Sequence, residues 1–235
     1  MSDRPTPPAS EIQALFDRIA PMYDRLNQDL SFGLHRIWKT MTVKWCEPKP
    51  GDRAIDLCCG SGDLTFLLAK RVGSEGKAIG LDFSPRLLDI ARERSVAYPE
   101  LNLDWIEGDA LNLPFPENTF DSATMGYGLR NVTDIPRCLA EVYRVLKPKA
   151  RIAILDFGKS ESEIARLFSR WYLDTIVVPT ANRYGLTNEY AYIGPSVDRF
   201  PSGQEQVKLA REAGFGHAVH YPIAGGIMGV SVLTK

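Results

Sequence analysis

Paired cysteines, long apolar runs and surplus charge are all scarce in this chain. Four cysteines occur in 235 residues, Cys46, Cys58, Cys59 and Cys138, and no two have C-x-x-C spacing. That excludes a zinc cluster or a disulfide framework as the source of stability, so no metal is expected. It also suits a reducing cytoplasm in which the thiols are small packing residues. No apolar stretch approaches the roughly 18 residues needed to span a bilayer. The opening Met1-Ser2-Asp3-Arg4-Pro5-Thr6-Pro7-Pro8 lacks the charged head and apolar middle of a signal peptide and reads as a frayed polar tail. A formal net charge of −1 gives no broad basic face for nucleic acid, although a local patch stays open. No internal repeat or low-complexity segment is evident. Hydrophobic residues at 44% and charged residues at 24% are ordinary for a globular domain, and the length fits one domain with appendages.

The stretch that organises the rest is Ala54-Ile55-Asp56-Leu57-Cys58-Cys59-Gly60-Ser61-Gly62-Asp63, followed by the apolar run Leu64 to Ala69. It reads as a buried strand, a tight turn and a helix. Gly60 and Gly62 allow positive φ and close approach of backbone to a ligand. Ser61 and Asp63 are N-cap types, and the open N–H groups of a helix start suit an anion. About 20 residues on, the run Ile79-Gly80-Leu81 ends in Asp82-Phe83, the spacing at which a carboxylate meets a ribose diol. A dinucleotide fold would want a third glycine where this chain has Thr65. Taken singly, Asp56 reads equally as a buried acid tying a turn, and Asp82 as a helix-initiating residue before Ser84-Pro85.

Strands are expected at 53–57, 77–82, 102–106, 120–126 and 150–157, with helices at 63–72, 85–97 and 134–146. Such alternation builds a mostly parallel sheet with helices on both faces and ligands beyond the strands' carboxyl ends. Residues 1–50 form a helical preface in which Ile12, Leu15, Phe16 and Ile19 recur at helical spacing and Pro21 breaks the pattern. Residues 51–235 form the core, interrupted at about 160–200. That interruption carries Leu167, Phe168, Trp171, Tyr172, Ile176, Val177 and Val178 on one helical face, read either as a satellite packing cluster or as a wall for a lipid-like substrate. A helix over 204–213 and strands at about 216–223 and 227–234 close the chain.

The pattern D-x-C-C-G-S-G resembles motif I of the S-adenosylmethionine-dependent methyltransferases, with Asp82 as their ribose acid and Gly108-Asp109-Ala110 as their adenine turn. More narrowly, Tyr23-Asp24-Arg25-Leu26-Asn27 through His35 and Trp38 resembles the first signature of the UbiE/MenG/COQ5 family of quinone C-methyltransferases. Gly128-Leu129-Arg130-Asn131-Val132, Arg144 to Pro148, Phe200 to Gly203, and Gly226 to Gly229 are similar to further segments of that family. The likeness runs from about residue 11 to the C-terminus. Leu26, Lys149-Ala150 and Asp156-Phe157-Gly158 depart from the usual pattern and resemble the phylloquinone branch of cyanobacteria and chloroplasts more than the ubiquinone enzymes.

The resemblance implies an α/β class I methyltransferase fold, Rossmann-like, with a seven-stranded sheet, an N-terminal helical lid and a substrate-covering insertion. It implies S-adenosylmethionine as methyl donor and a reduced, prenylated naphthoquinone as acceptor in phylloquinone or menaquinone biosynthesis. A ubiquinone-type benzoquinol precursor is the nearest alternative. A nicotinamide-dependent oxidoreductase and a non-catalytic methyltransferase-fold interaction subunit are the others. The donor site would comprise Asp56, Gly60, Ser61, Gly62, Asp82, Phe83, Asp109, Ala110 and Gly126. Arg130 would be the cation that offsets phenol ionisation, Asn131 would orient the ring oxygen, and His35 or Tyr23 would be the base, against bland readings of Arg130-Asn131 as a cap and surface salt bridge and of His35 as a packing residue. To the cytoplasmic location that the cysteines suggest, an isoprenoid acceptor adds peripheral membrane contact through the Trp171–Val178 face, and a homo-oligomer stays open.

Overall fold

A computed structural model describes residues 7–22, 33–158, 175, 179 and 192–235. Tyr23 and the segments 23–32 and 159–191, apart from Thr175 and Pro179, lie outside the described residues. The Trp171–Val178 face therefore falls almost wholly outside them.

Five strands run parallel: β1 Arg53–Leu57, β2 Lys77–Asp82, β3 Leu103–Glu107, β4 Phe120–Gly126 and β5 Leu146–Phe157. The hairpin β6 His217–Ile223 and β7 Met228–Thr234 joins antiparallel through β7, giving the order β3-β2-β1-β4-β5-β7-β6. The order reverses between β1 and β4, and a crevice opens there beyond the carboxyl ends. β5 starts at Leu146, four residues earlier than the apolar pattern suggested, because Leu146 pairs with Phe120 across a register irregularity.

Two cores hold helices to the sheet. One, around Leu57, Phe120, Met125 and Val142, backs the α5 helix Ile135–Val145 and the α7 helix Gly203–Glu212. The other, around Ala54, Leu68, Ala153 and Val230, backs the α2 helix Leu34–Trp45 and the α3 helix Asp63–Val72. The helix expected from Ile12, Leu15, Phe16 and Ile19 is α1, Ala9–Ile19, with Ile12 and Ile19 buried. It is fastened to the start of the α4 helix Pro85–Ser95: the Ser84 hydroxyl donates to Asp17 Oδ1 at 2.6 Å, and Phe16 meets Phe83 edge-on. Phe200, which follows the short α6 helix Ile193–Arg199, is a core residue.

Gly62 is needed for a reason that lies far from it in sequence. It is the left-handed N-cap of α3 at φ 93°, and a Cβ there would stand 2.4 Å from the Trp105 ring. The same indole lies over Gly80, where a Cβ would come within 2.5 Å of it, and its Nε1 donates to Ser95 Oγ at 2.8 Å. Gly62→Ala should therefore lower unfolding free energy by about 2–3 kcal/mol through strain and the clash. Urea denaturation checks this, and an unchanged midpoint would mean that the indole yields without cost.

Candidate active site

A cavity opens at the carboxyl edge where β1, β2 and β4 end, with about 850 Å³ between its walls, part of it open to solvent. Ligand pockets commonly fall between roughly 300 and 1,000 Å³. Of the residues the sequence singled out, Gly60, Asp82, Phe83, Asp109, Ala110, Gly126 and Asn131 line it. Phe16 of α1 closes one side. Two non-glycine residues in the left-handed region, Cys58 at φ 52° and Tyr127 at φ 61°, also line it, where they turn the chain sharply off β1 and β4. Such conformations cost free energy and gather at sites whose surroundings enforce them. Gly128 has no room for a side chain, because a Cβ would lie 2.6 Å from Cys58 Cβ.

Asp82 is 4% exposed and fixed by backbone: Gly60 N–H donates to Oδ2 at 2.8 Å and Ser84 N–H to Oδ1 at 2.9 Å. Each oxygen keeps acceptor capacity, so the carboxylate is set to receive two further hydroxyls. Burial raises its pKa to about 6, against the pull of the backbone N–H groups of Ser84, Gly60 and Phe83. Asp109 Oδ1 accepts from Leu111 N–H at 2.9 Å, which holds the turn after β3.

Asp56, Ser61 and Gly62 do not line the cavity, contrary to their expected contact with a donor. Asp56 is wholly buried, accepts from the hydroxyls of Thr65 and Thr124 at 2.8 Å each, and so ties β1 to α3 and β4. Burial raises its pKa to about 7. Thr65, the residue in place of a third glycine, supplies one of those bonds. The Ser61 carbonyl accepts from Arg94 Nη1 at 2.8 Å. These residues shape the turn and position Gly60.

Arg130 and Asn131 sit on the 3₁₀ turn Leu129–Asn131 that follows β4. Arg130, expected as a cation for a ring oxygen, already has partners within the protein. Its Nη1 donates to Asp156 Oδ1 at 2.6 Å and to the Tyr127 carbonyl at 2.8 Å, and both partners of the ion pair are buried. The guanidinium stacks 4.9 Å from the Phe157 ring centroid. Asp156 also accepts from the backbone N–H groups of Arg130 and Phe157. Arg130 does not line the cavity, and its charge is already neutralised. Asn131 Nδ2 donates to the Tyr127 carbonyl at 2.9 Å, while Oδ1 is buried without a partner among the described residues.

His35 lies on α2 in a separate cleft with Lys39, Asp63 and Arg94, not among the cavity's lining residues. Lys39 and Arg94 both bind Asp63 there, at 2.8 and 2.7 Å. Sequence reasoning missed Asp156 as the partner of Arg130; its departure from the family's Glu-x-Ser was the available signal. The thiols are not nucleophiles: all four cysteines are free, and burial raises every pKa. Among the described residues no cluster fit to hold a metal occurs. Asp156→Asn should lower stability by about 3–5 kcal/mol, the usual effect of leaving a buried guanidinium uncompensated. Chemical denaturation tests this, and a loss below about 1 kcal/mol would show that water already relieves the pair.

The sequence as a whole has known counterparts. A model of the ubiE/COQ5 methyltransferase family matches residues 7–235. A 2-phytyl-1,4-naphthoquinone methyltransferase of Trichormus variabilis is 59% identical over 227 residues, 96% of this chain and 99% of its own. One from Synechocystis sp. is 56% identical, covering 97% of each chain. The chloroplastic enzyme of Arabidopsis thaliana is 51% identical over 97% of this chain and 88% of its own. Among solved structures, a SAM dependent methyltransferase from Aquifex aeolicus superposes with a TM-score of 0.61 at 22% identity, covering 83% of this chain and 88% of its own. The [4+2]-cyclase SpnF does so at 0.64 and 16%, covering 99% and 98%. These last two speak for the Rossmann-like methyltransferase fold alone, while the match across nearly the whole sequence goes further: the chain belongs to the ubiE/COQ5 methyltransferase family.

Proposed function

We propose that this protein methylates a ring carbon of a prenylated naphthoquinol, demethylphylloquinol or demethylmenaquinol, with S-adenosylmethionine as donor, late in phylloquinone (vitamin K1) or menaquinone biosynthesis. The observation that carries it is the shared name of relatives 51–59% identical, from cyanobacteria and a plant, over nearly their full length. The cavity agrees with the donor: spare acceptor capacity on Asp82 for a diol, and a glycine-lined wall at Gly60 and Gly126. S-adenosylmethionine, when bound, supplies an electrophilic methyl group on a sulfonium.

The chain's own residues make the acceptor carbon nucleophilic. A phenol with a pKa near 10 costs about 4 kcal/mol to ionise at pH 7. Because Arg130 is paired with Asp156, the help comes from oriented polar groups rather than from net positive charge. Asn131 Oδ1 faces this task as a buried acceptor: a ring hydroxyl donating to it shifts electron density into the ring before its proton leaves. Asp156 holds the Arg130 backbone and fork, and so fixes the turn that carries Asn131. Holding methyl and carbon in line accounts for a further share of the rate, where proximity is worth roughly 7–11 kcal/mol. A base at Tyr23 or His35 remains a proposal; His35 would have to act from the neighbouring cleft. Residues 1–50 and the 160–200 segment serve as cover for the acceptor, α1 already forming one wall. We also propose a cytoplasmic protein in reversible contact with a bilayer through Trp171–Val178, since the acceptor's tail resides there.

Incubation with labelled S-adenosylmethionine and naphthoquinol or benzoquinol acceptors tests the function, with mass analysis locating the new methyl. Methylation of the naphthoquinols is expected; preference for a ubiquinone-type benzoquinol would overturn the substrate class. In the same assay Arg130→Ala should lower turnover by more than tenfold. Donor binding should also follow Asp82. Its folded pKa lies above the ordinary 3.8, so its contribution to the stability of the ligand-free protein is complete below that value and is lost as pH rises through about 6. The ribose hydroxyls need the ionised form, so S-adenosylmethionine affinity should fall as pH drops through 6, approaching tenfold per unit. Calorimetry between pH 5 and 8 reads this, and a flat profile would move the sugar contact elsewhere. Sedimentation with liposomes checks the membrane contact, which complete absence of binding would contradict.

A further inference from the structure

A helix packed on a sheet ordinarily turns its apolar stripe inward and its charges outward. Much of α2 does the reverse. Its buried residues are His35, Lys39, Thr42 and Val43, three of them polar, and Lys39 is held there by Asp63. On the outside, Leu34 is 45% exposed and Ile37 57%. The half-buried Trp38, Met41 and Trp45 continue from these at helical spacing, so one apolar line runs the length of the helix. The Trp45 ring lies 5.0 Å from that of Tyr221 on β6, which is itself exposed. Leu34, Ile37 and Tyr221 are three of the four large exposed apolar side chains among the described residues, so uncovered apolar surface collects on this face.

Charge decides what covers it. α2 holds His35, Arg36, Lys39 and Lys44 and no acidic residue. Arg36 and Lys44 are exposed beside the apolar line, and neither they nor Lys70 join an ion pair among the described residues. Arg36 and Lys70 also wall the cleft that contains Lys39 and Arg94, where the one lining carboxylate, Asp63, is already shared by those last two. A basic helix with Leu, Ile and Trp at the water boundary matches the interface of an anionic bilayer. The aliphatic side chains enter the lipid, the Trp and Tyr rings sit at headgroup level, and the cations meet lipid phosphates. A second copy fits less well, because a symmetric contact would set these cations against their own images.

We propose that the outer face of α2, with Tyr221, docks this protein on a bilayer that carries anionic headgroups. This rests on the reading above, in which an isoprenoid acceptor requires a membrane, and it adds residues other than Trp171–Val178. The Lys39–Asp63 pair ties α2 to the start of α3, so docking there keeps the donor turn one helix away from the lipid.

The test is co-sedimentation of the full chain with phosphatidylcholine vesicles, with and without phosphatidylglycerol. Ile37→Glu should weaken binding about tenfold, the effect of withdrawing one aliphatic side chain from lipid. Arg36→Gln combined with Lys44→Gln should weaken it about tenfold on phosphatidylglycerol vesicles and leave it within twofold on phosphatidylcholine alone. Both variants should keep the parent's denaturation midpoint and its turnover of a naphthoquinol with a short, water-soluble tail. Binding by both within twofold of the parent on the anionic vesicles would overturn the assignment to α2 and leave the contact at Trp171–Val178 standing. A parent that binds neither vesicle would overturn both surfaces. A parent dimer in sedimentation equilibrium that Ile37→Glu separates, with vesicle binding unchanged, would give the face to a second copy and overturn the proposal. Methylation is read separately: a chain that methylates no quinol, yet loses vesicle binding in these variants, keeps the α2 face and loses the reaction.

Discussion

Two carboxylates buried side by side at the centre of a parallel sheet govern this structure. Asp56 is withdrawn from water completely and Asp82 almost so, and neither has a cation in contact among the described residues. Burying charge without compensation is prohibitive, so each is surrounded by donors that the fold must supply. Asp56 takes two threonine hydroxyls, from α3 and from β4. Asp82 takes the N–H groups of the turn after β1 and of the start of α4. Those demands bring the glycine turn, β4 and α4 to one edge, and the cavity is the space left between them. The two acids differ in outlook: Asp56 commits its acceptors to the fold, and Asp82 keeps acceptor capacity on the cavity wall.

The turn after β4 solves the next problem by the same means. Its backbone must bend sharply at Tyr127 and pass Cys58 closely, which only a glycine at 128 permits. Asp156, reaching across from β5, then holds the Arg130 N–H and guanidinium together. A charged group placed this way is a brace. What it braces is Asn131, whose amide is aimed by the Tyr127 carbonyl and whose oxygen meets no partner among the described residues.

Much of this was legible in the sequence because it is local. The strands at 53–57, 77–82 and 120–126 and the helix at 63–72 have the boundaries their apolar spacing and caps imply. Asp82 falls where a strand ends, and its distance from Gly60 in sequence is set by one helix, two turns and the length of β2. The illegible part is long-range. Gly62 reads as a ligand-facing glycine until Trp105, on β3, is seen to occupy the volume of its missing Cβ. Arg130 reads as a cation with no identified partner until Asp156 appears, 26 residues later, on the neighbouring strand. Asp56 carries the family's motif yet faces inward, because in a strand the side-chain direction alternates and its neighbours decide which face is wet. His35 has the chemistry of a base, but nothing in its spacing says which cleft α2 will present it to.

A paired arginine beside an unpaired asparagine oxygen constrains how such a site would activate an aromatic ring in the reaction proposed above. A bare buried guanidinium would favour a fully ionised phenolate and hold it tightly, stabilising the ground state as much as the transition state, which does not raise turnover. In the reaction proposed above, a neutral ion pair with one donor over, on the turn that carries an amide acceptor, would stabilise an oxygen whose proton is shared and whose charge is still moving into the ring. In that reaction such an arrangement would favour the state in which carbon–carbon bond formation and proton loss proceed together, and would leave the product, a hydroquinol with its proton restored, only weakly held.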